Sequence, residues 1–169
     1  NFEIILLDNY STDNTDLILE KYKTKLIIKK QERISNYPAI NQMSILQKAF
    51  SISTGEIICL LDADDYFENN KLETINKIFL KNEDKYVIFE KPRVLSNNNF
   101  TDFKIKKKFS NHIWPTSFQT SSISFKRSFF EKFFKEIDIS IYPLLEIDFI
   151  SEANSGLISF IKNNSNFNS

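Results

Sequence analysis

Residues Gly55 to Phe67 read GEIICLLDADDYF. The five apolar residues from Ile57 to Leu61 begin just past the point near Gly55 where the preceding helix stops, and the run reads as a strand. That strand delivers Asp62, Asp64 and Asp65 at its carboxyl end, which is where open α/β sheets bind their ligands.

Working outward, the same alternation repeats. Phe2 to Leu7 reads as a strand ending at Asp8, and NYSTDNTD after it is turn chemistry with N-caps for a helix whose Leu17, Ile18 and Tyr22 face inward. Lys25 to Ile28 reads as a second strand. Met43, Leu46, Phe50 and Ser53 recur at helical spacing in a helix that stops near Gly55. Downstream of the acids, Leu72, Ile75 and Phe79 predict a further helix and Tyr86 to Phe89 a further strand. The expectation is an α/β, Rossmann-like, mostly parallel sheet flanked by helices. From Lys91 the text turns Asn- and Lys-rich, with NNN at Asn97 to Asn99 and KKK at Lys106 to Lys108, which reads as a surface loop or lid. TSSISF then reads as a strand, RSFFEKFF as a helix start, PLLEIDFISEA as a second helix and NNSNFNS as a frayed tail.

A chain of 169 residues that is 41% hydrophobic supplies enough apolar surface for one domain's core. Twenty-two basic against 22 acidic residues leave no net field to hold nucleic acid or an anionic membrane, so no nucleic-acid partner is expected. The lone cysteine, Cys59, lies inside the apolar run and reads as a small buried thiol, with no disulfide framework. No apolar stretch reaches the roughly 18 to 20 residues that span a bilayer. These features together predict a cytoplasmic chain. His112 stands singly and is left out of the site.

Three carboxylates at one strand end repel one another unless a cation compensates, and hard oxygen ligands suit Mg2+ or Mn2+. A cation held by Asp62 and Asp64 and completed by diphosphate oxygens would neutralise a leaving nucleoside diphosphate. The bland alternative is that the acids cap the next turn and face solvent. A calcium loop starting at Asp62 fails, because Phe67 stands where its sixth position needs glycine. A phosphatase of the haloacid dehalogenase type, with Asp62 as nucleophile, remains as a remote alternative, although Tyr66 stands where that family expects Thr or Val.

EIILLDNYSTDNT, Glu3 to Thr15, and STGEIICLLDADDYF, Ser53 to Phe67, resemble the IIIVDDGSTDGT and ATGEII.FLDADD texts of glycosyltransferase family 2. WPTSFQTSSISFKRSFFEKF, Trp114 to Phe133, resembles a third stretch of a bacterial subgroup, followed by LEIDFISEA. The resemblance implies a GT-A fold and transfer of a sugar from a nucleotide-diphosphate donor to a glycan or lipid-linked acceptor in bacterial surface polysaccharide synthesis. It implies metal dependence and inversion at the anomeric carbon. Carried over by position, Asp8 and Asn9 lie near the nucleotide base, Asp62 and Asp64 form the DxD that meets ribose, diphosphate and metal, and Asp65 sits beside them. Asp148 corresponds to the general base, with Glu146 as runner-up.

The resemblance also divides the single domain 1–169 into a nucleotide-sugar half at 1–90, the loop or lid at 91–112, an acceptor-side half at 113–160 and the tail at 161–169. It departs from the family at three places. The family's first strand and IPTYN-like loop have no counterpart before Asn1, so the chain reads as N-terminally truncated; Gln47 replaces the usual Asn, and Tyr10 a glycine. The truncation suggests a second reading, an inactive relic or partner-binding module, and an unpaired sheet edge on which a second copy would dimerise. A lipid-linked acceptor would bring the chain to the inner face of the membrane as a peripheral protein.

Overall fold

In the computed structural model, which describes residues 1–97, 99–102 and 120–136, the strand that carries the acids is β3, Ile57–Cys59. It is the first strand of a unit spanning Glu56–Phe133; the segment before it, Asn1–Gly55, forms a separate unit.

In the first unit, β1 (Ile5–Asp8), α1 (Thr15–Glu20), β2 (Ile27–Lys30) and α2 (Pro38–Ile52) follow in order. β1 and β2 pair in parallel with Asp8 opposite Lys30, as a strand–helix–strand crossover requires. β2 lies two residues later than the sequence suggests, because the Lys25 and Leu26 amides both donate to the Tyr22 carbonyl and keep the chain turning. α1 is only six residues long, and it buries Leu19 while Leu17, Ile18 and Tyr22 are exposed, contrary to expectation. A helix of less than two turns has no stable stripe, so the anchoring at its ends rather than periodicity decides which side chain is covered. Its amino end is tied by Asp13 Oδ1, which accepts from the Thr15 amide at 2.9 Å. α2 packs against β1 and buries Ile40. Glu3 Oε1 links the two by accepting from the Thr54 and Gly55 amides at 2.6 and 2.9 Å.

The second unit runs β3, α3 (Lys71–Lys81), β4 (Val87–Phe89), β5 (Arg93–Ser96), β6 (Asn99–Asp102), a 3-10 turn at Thr120–Ser122, β7 (Ile123–Lys126) and α4 (Arg127–Glu136). β7 lies between β3 and β4 and is antiparallel to both, with Ser124 opposite Cys59 on one side and Ile88 on the other. β3 and β4 therefore point the same way, as two strands of an α/β crossover do, but β7 fills the place between them and every pairing in this sheet is antiparallel; among the described residues the parallel pairing expected for most of the sheet is found only between β1 and β2. Strand neighbours face opposite ways, so Phe125 stacks on Phe129 and Phe130 of α4 at 5.8 and 5.0 Å. Lys126 instead reaches over Phe79 of α3. Ile75, Phe79, Ile123, Phe125, Phe129 and Phe130 are all at most 4% exposed and form the unit's core.

The segment expected as a loop or lid contains β5 and β6, an antiparallel hairpin exposed along its whole length. Asn97, in the left-handed region at φ 49°, helps turn it. The predicted helix PLLEIDFISEA lies outside the described residues.

Replacing Phe125 with Ala should cost about 3–5 kcal/mol in a denaturant titration, because its ring is fully enclosed and stacked on two others. Leu80→Ala, on the exposed side of α3, should change stability by no more than about 0.5 kcal/mol.

Candidate functional site

β3 ends at Cys59 because its partner strand curls into the 3-10 turn, although the Leu60 amide still donates to the Ile123 carbonyl at 3.3 Å. Beyond that bond the chain turns. The Asp65 amide donates to the Asp62 carbonyl at 3.2 Å, closing a four-residue turn that puts three carboxylates on one short segment. Asp62 and Asp65 are half-buried and Asp64 is exposed. Asp62, Asp64, Asp65 and Thr120 line a cavity of about 260 Å3. No ion pair among the described residues engages Asp64 or Asp65. Negative charge is thus concentrated at an opening of polar walls.

The turn is held from behind. The Asp62 amide donates to Ser121 Oγ at 2.8 Å, across 59 positions of sequence. Lys71, the first residue of α3, is buried and donates through Nζ to the Ser121 carbonyl at 2.8 Å. Its ammonium also pairs with Glu90 Oε2 at 2.5 Å and lies 4.2 Å from the centre of the Phe67 ring. Thr120, Ser121, Lys71 and Glu90 were not singled out in the sequence. A lysine where helix α3 begins, opposed by the helix dipole, was the one signal that could have found any of them.

Asp8 and Asn9 lie in the other unit, at the end of β1. Asp8 is only 4% exposed, and its Oδ1 accepts from the Ser11 amide at 3.0 Å and from the Ser11 hydroxyl, closing an Asx turn. Oδ2 is buried without a hydrogen bond, its nearest cation being Lys30 Nζ at 3.9 Å. Tyr10, where the family carries glycine, holds the left-handed conformation at φ 58° that the turn requires, which costs a side chain with a Cβ about 1 kcal/mol. Asn9 Nδ2 donates to the Gln31 carbonyl at 2.7 Å. Gln31, Ser44, Gln47, Lys48 and Ser51 line a second cavity, of about 310 Å3, within that unit. Asp148, Glu146 and His112 lie outside the described residues.

Among the described residues no group of three or more His, Cys, Asp and Glu side chains forms a metal cage. The donor chemistry of the Asp62–Asp65 turn still fits a hard divalent cation of the Mg2+ kind, which is commonly held by one or two carboxylates with the rest of its shell from water and phosphate. Among the described residues no helix is long and apolar enough to cross a membrane.

The fold is similar to that of solved glycosyltransferase structures. Staphylococcus aureus TarS, residues 1–349 in complex with UDP-GlcNAc, superposes with a TM-score of 0.56 at 22% identity, over 78% of this chain and 38% of that one. The same TarS segment in complex with UDP gives 0.53 at 20% identity, over 78% and 39%. The fold is therefore of the GT-A type. The model of glycosyl transferase family 2 matches residues 1–141, and the chain belongs to that family. An uncharacterized glycosyltransferase of Rickettsia bellii is 26% identical over 126 residues, 73% of this chain and 17% of that protein. The amylovoran biosynthesis glycosyltransferase AmsB of Erwinia amylovora is 21% identical over 116 residues, 66% of this chain and 38% of that protein. The chain thus spans well under half the length of these relatives.

Cys59, three residues before the acidic turn, is half-buried rather than enclosed as the apolar run suggests. Burial pushes its thiol pKa up, and the Ser124 hydroxyl at 3.5 Å offsets this only in part. The thiolate fraction at pH 8 is accordingly smaller than that of an ordinary cysteine, and iodoacetamide should modify the native protein about tenfold more slowly than the denatured one. The rate should climb as pH rises above the usual thiol range. The sign for stability is the matching one: the raised pKa costs nothing below the unfolded thiol pKa and destabilises the fold as pH rises through it.

Proposed function

We propose that the chain forms the donor-binding part of a glycosyltransferase that moves a sugar from a nucleoside-diphosphate carrier to a hydroxyl of a glycan or lipid-linked acceptor. The observation that carries this reading is the convergence of Asp62, Asp64 and Asp65 with Thr120 on one cavity at a strand's carboxyl end. Membership of the family supports it, as do the UDP and UDP-GlcNAc held by TarS.

In this reading Asp62 and Asp64 hold a Mg2+ or Mn2+ ion, and Asp65 orients the donor beside them. When bound, that ion supplies Lewis-acid neutralisation of the departing diphosphate. Asp8 and Asn9 lie against the base, with the Asx turn at Ser11 fixing the direction of the Asp8 carboxylate. Thr120, which lines the same cavity, offers a hydroxyl to the donor. Asp148, or Glu146 in its place, takes the proton from the acceptor hydroxyl, and attack opposite the leaving group inverts the anomeric carbon. An acceptor built into surface polysaccharide suits the name of the AmsB relative, and a lipid-linked one would draw the protein to a membrane surface.

Calorimetric titration of UDP with and without Mn2+ tests the reading. The wild-type chain should bind UDP in a Mn2+-dependent manner, and Asp64→Asn should weaken that binding by at least about tenfold, or roughly 1.4 kcal/mol. A folded wild type that binds neither UDP nor GDP with either ion would instead identify a module that keeps the fold without a donor site.

A further inference from the structure

Lys71 is in a position that opposes ordinary preferences. It opens helix α3, where the dipole disfavours a cation, and it is only 9% exposed, where an ammonium must replace its lost hydration. Its compensation is specific: the Glu90 carboxylate at 2.5 Å, the Ser121 carbonyl at 2.8 Å and the face of Phe67 at 4.2 Å. Phe67 and Ser121 flank the acidic turn from two distant parts of the sequence, one two residues after Asp65 and the other next to Thr120 in the cavity wall.

These contacts form a closed circuit. Ser121 gives its carbonyl to Lys71 and its hydroxyl oxygen to the Asp62 amide. Glu90, paired with Lys71, donates its own amide to the Ser122 carbonyl at 2.9 Å. The 3-10 turn is therefore gripped at consecutive residues, by Lys71 at Ser121 and by Glu90 at Ser122, and it in turn holds the backbone at Asp62.

We propose that Lys71 is a positioning residue for the acidic turn, acting through Ser121 to fix Asp62 and thereby setting the affinity of the cavity for a divalent cation and a diphosphate. The effect on ligand rests on the donor-site reading above; the effect on Asp62 does not. A purely structural ion pair would stabilise the unit without governing the turn, so the test reads the turn directly.

Amide hydrogen exchange at Asp62 should quicken about tenfold in Lys71→Met and in Ser121→Ala, while the amides of Ser124 and Phe125 in the central strand keep wild-type protection. Mn2+ affinity in the presence of UDP should fall about tenfold in each, the usual scale for groups that orient a metal ligand. The double variant should be no worse than the more severe single one, since both cut the same link, and Lys71→Arg should restore most of the loss. Should Lys71→Met fail to fold, Ser121→Ala and Glu90→Gln carry the test with the same readouts. Unchanged exchange at Asp62 in these variants, or Mn2+ losses that simply add, would overturn the proposal. A wild type that binds no Mn2+ would sink the donor-site reading, and exchange at Asp62 would still decide the role of Lys71.

Discussion

The insertion of β7 between β3 and β4 is the constraint on which the acidic turn depends. β7 supplies both neighbours with hydrogen bonds, and its Ser124 is wholly buried. Because β3 is paired to a segment more than sixty residues away, the point at which that segment leaves the ladder also decides where β3 stops and where the carboxylates emerge. Leu60 is buried by the last of these bonds, and Leu61, next to it in an apolar run, is already half exposed. Long-range pairing of this kind is slow to form, since chain entropy is lost on closing the loop before the contacts are gained, and it makes the turn a product of the completed sheet.

Electrostatics acts at two scales here. The exposed pairs, such as Lys77 with Glu73 along α3 and Arg93 with Glu68, are open to solvent and salt and contribute little. Lys71 with Glu90 is shielded at the lysine end and linked to backbone on both sides, so breaking either partner would strand a charge in a poorly hydrated place. Close to that compensated pair, Asp64 and Asp65 have no described cation. The fold thus pairs the buried charge within the protein and leaves the neighbouring carboxylates to the open cavity.

Much of the fold was legible in residues whose chemistry is local. Ile75 and Phe79 recur one turn apart and are buried as that spacing requires, and Asp62, Asp64 and Asp65 stand at a strand end as the apolar run before them demands. Six residues cannot express a period, which is why α1 departs from expectation, and the hairpin β5–β6 escapes a reading by pattern because its strands are exposed on both faces and lack the alternation that a buried face imposes. The partners Thr120 and Ser121 were invisible for another reason: small hydroxyl residues carry no pattern, and only the pairing of β7 brings them to the turn.

The sequence by itself determined the alternation of strands and helices and the placement of the carboxylates after β3, because hydrophobic period and turn chemistry act between residues a few positions apart. Tertiary structure alone decided that β7 enters the sheet antiparallel, that Ser121 holds the Asp62 backbone and that Lys71 is buried against Glu90, because each of these joins residues separated by nineteen to sixty-nine positions. Contacts at that range are set by which strand fills the gap in the sheet, a choice made by the packing of Phe125 and its neighbours rather than by any short stretch of chain.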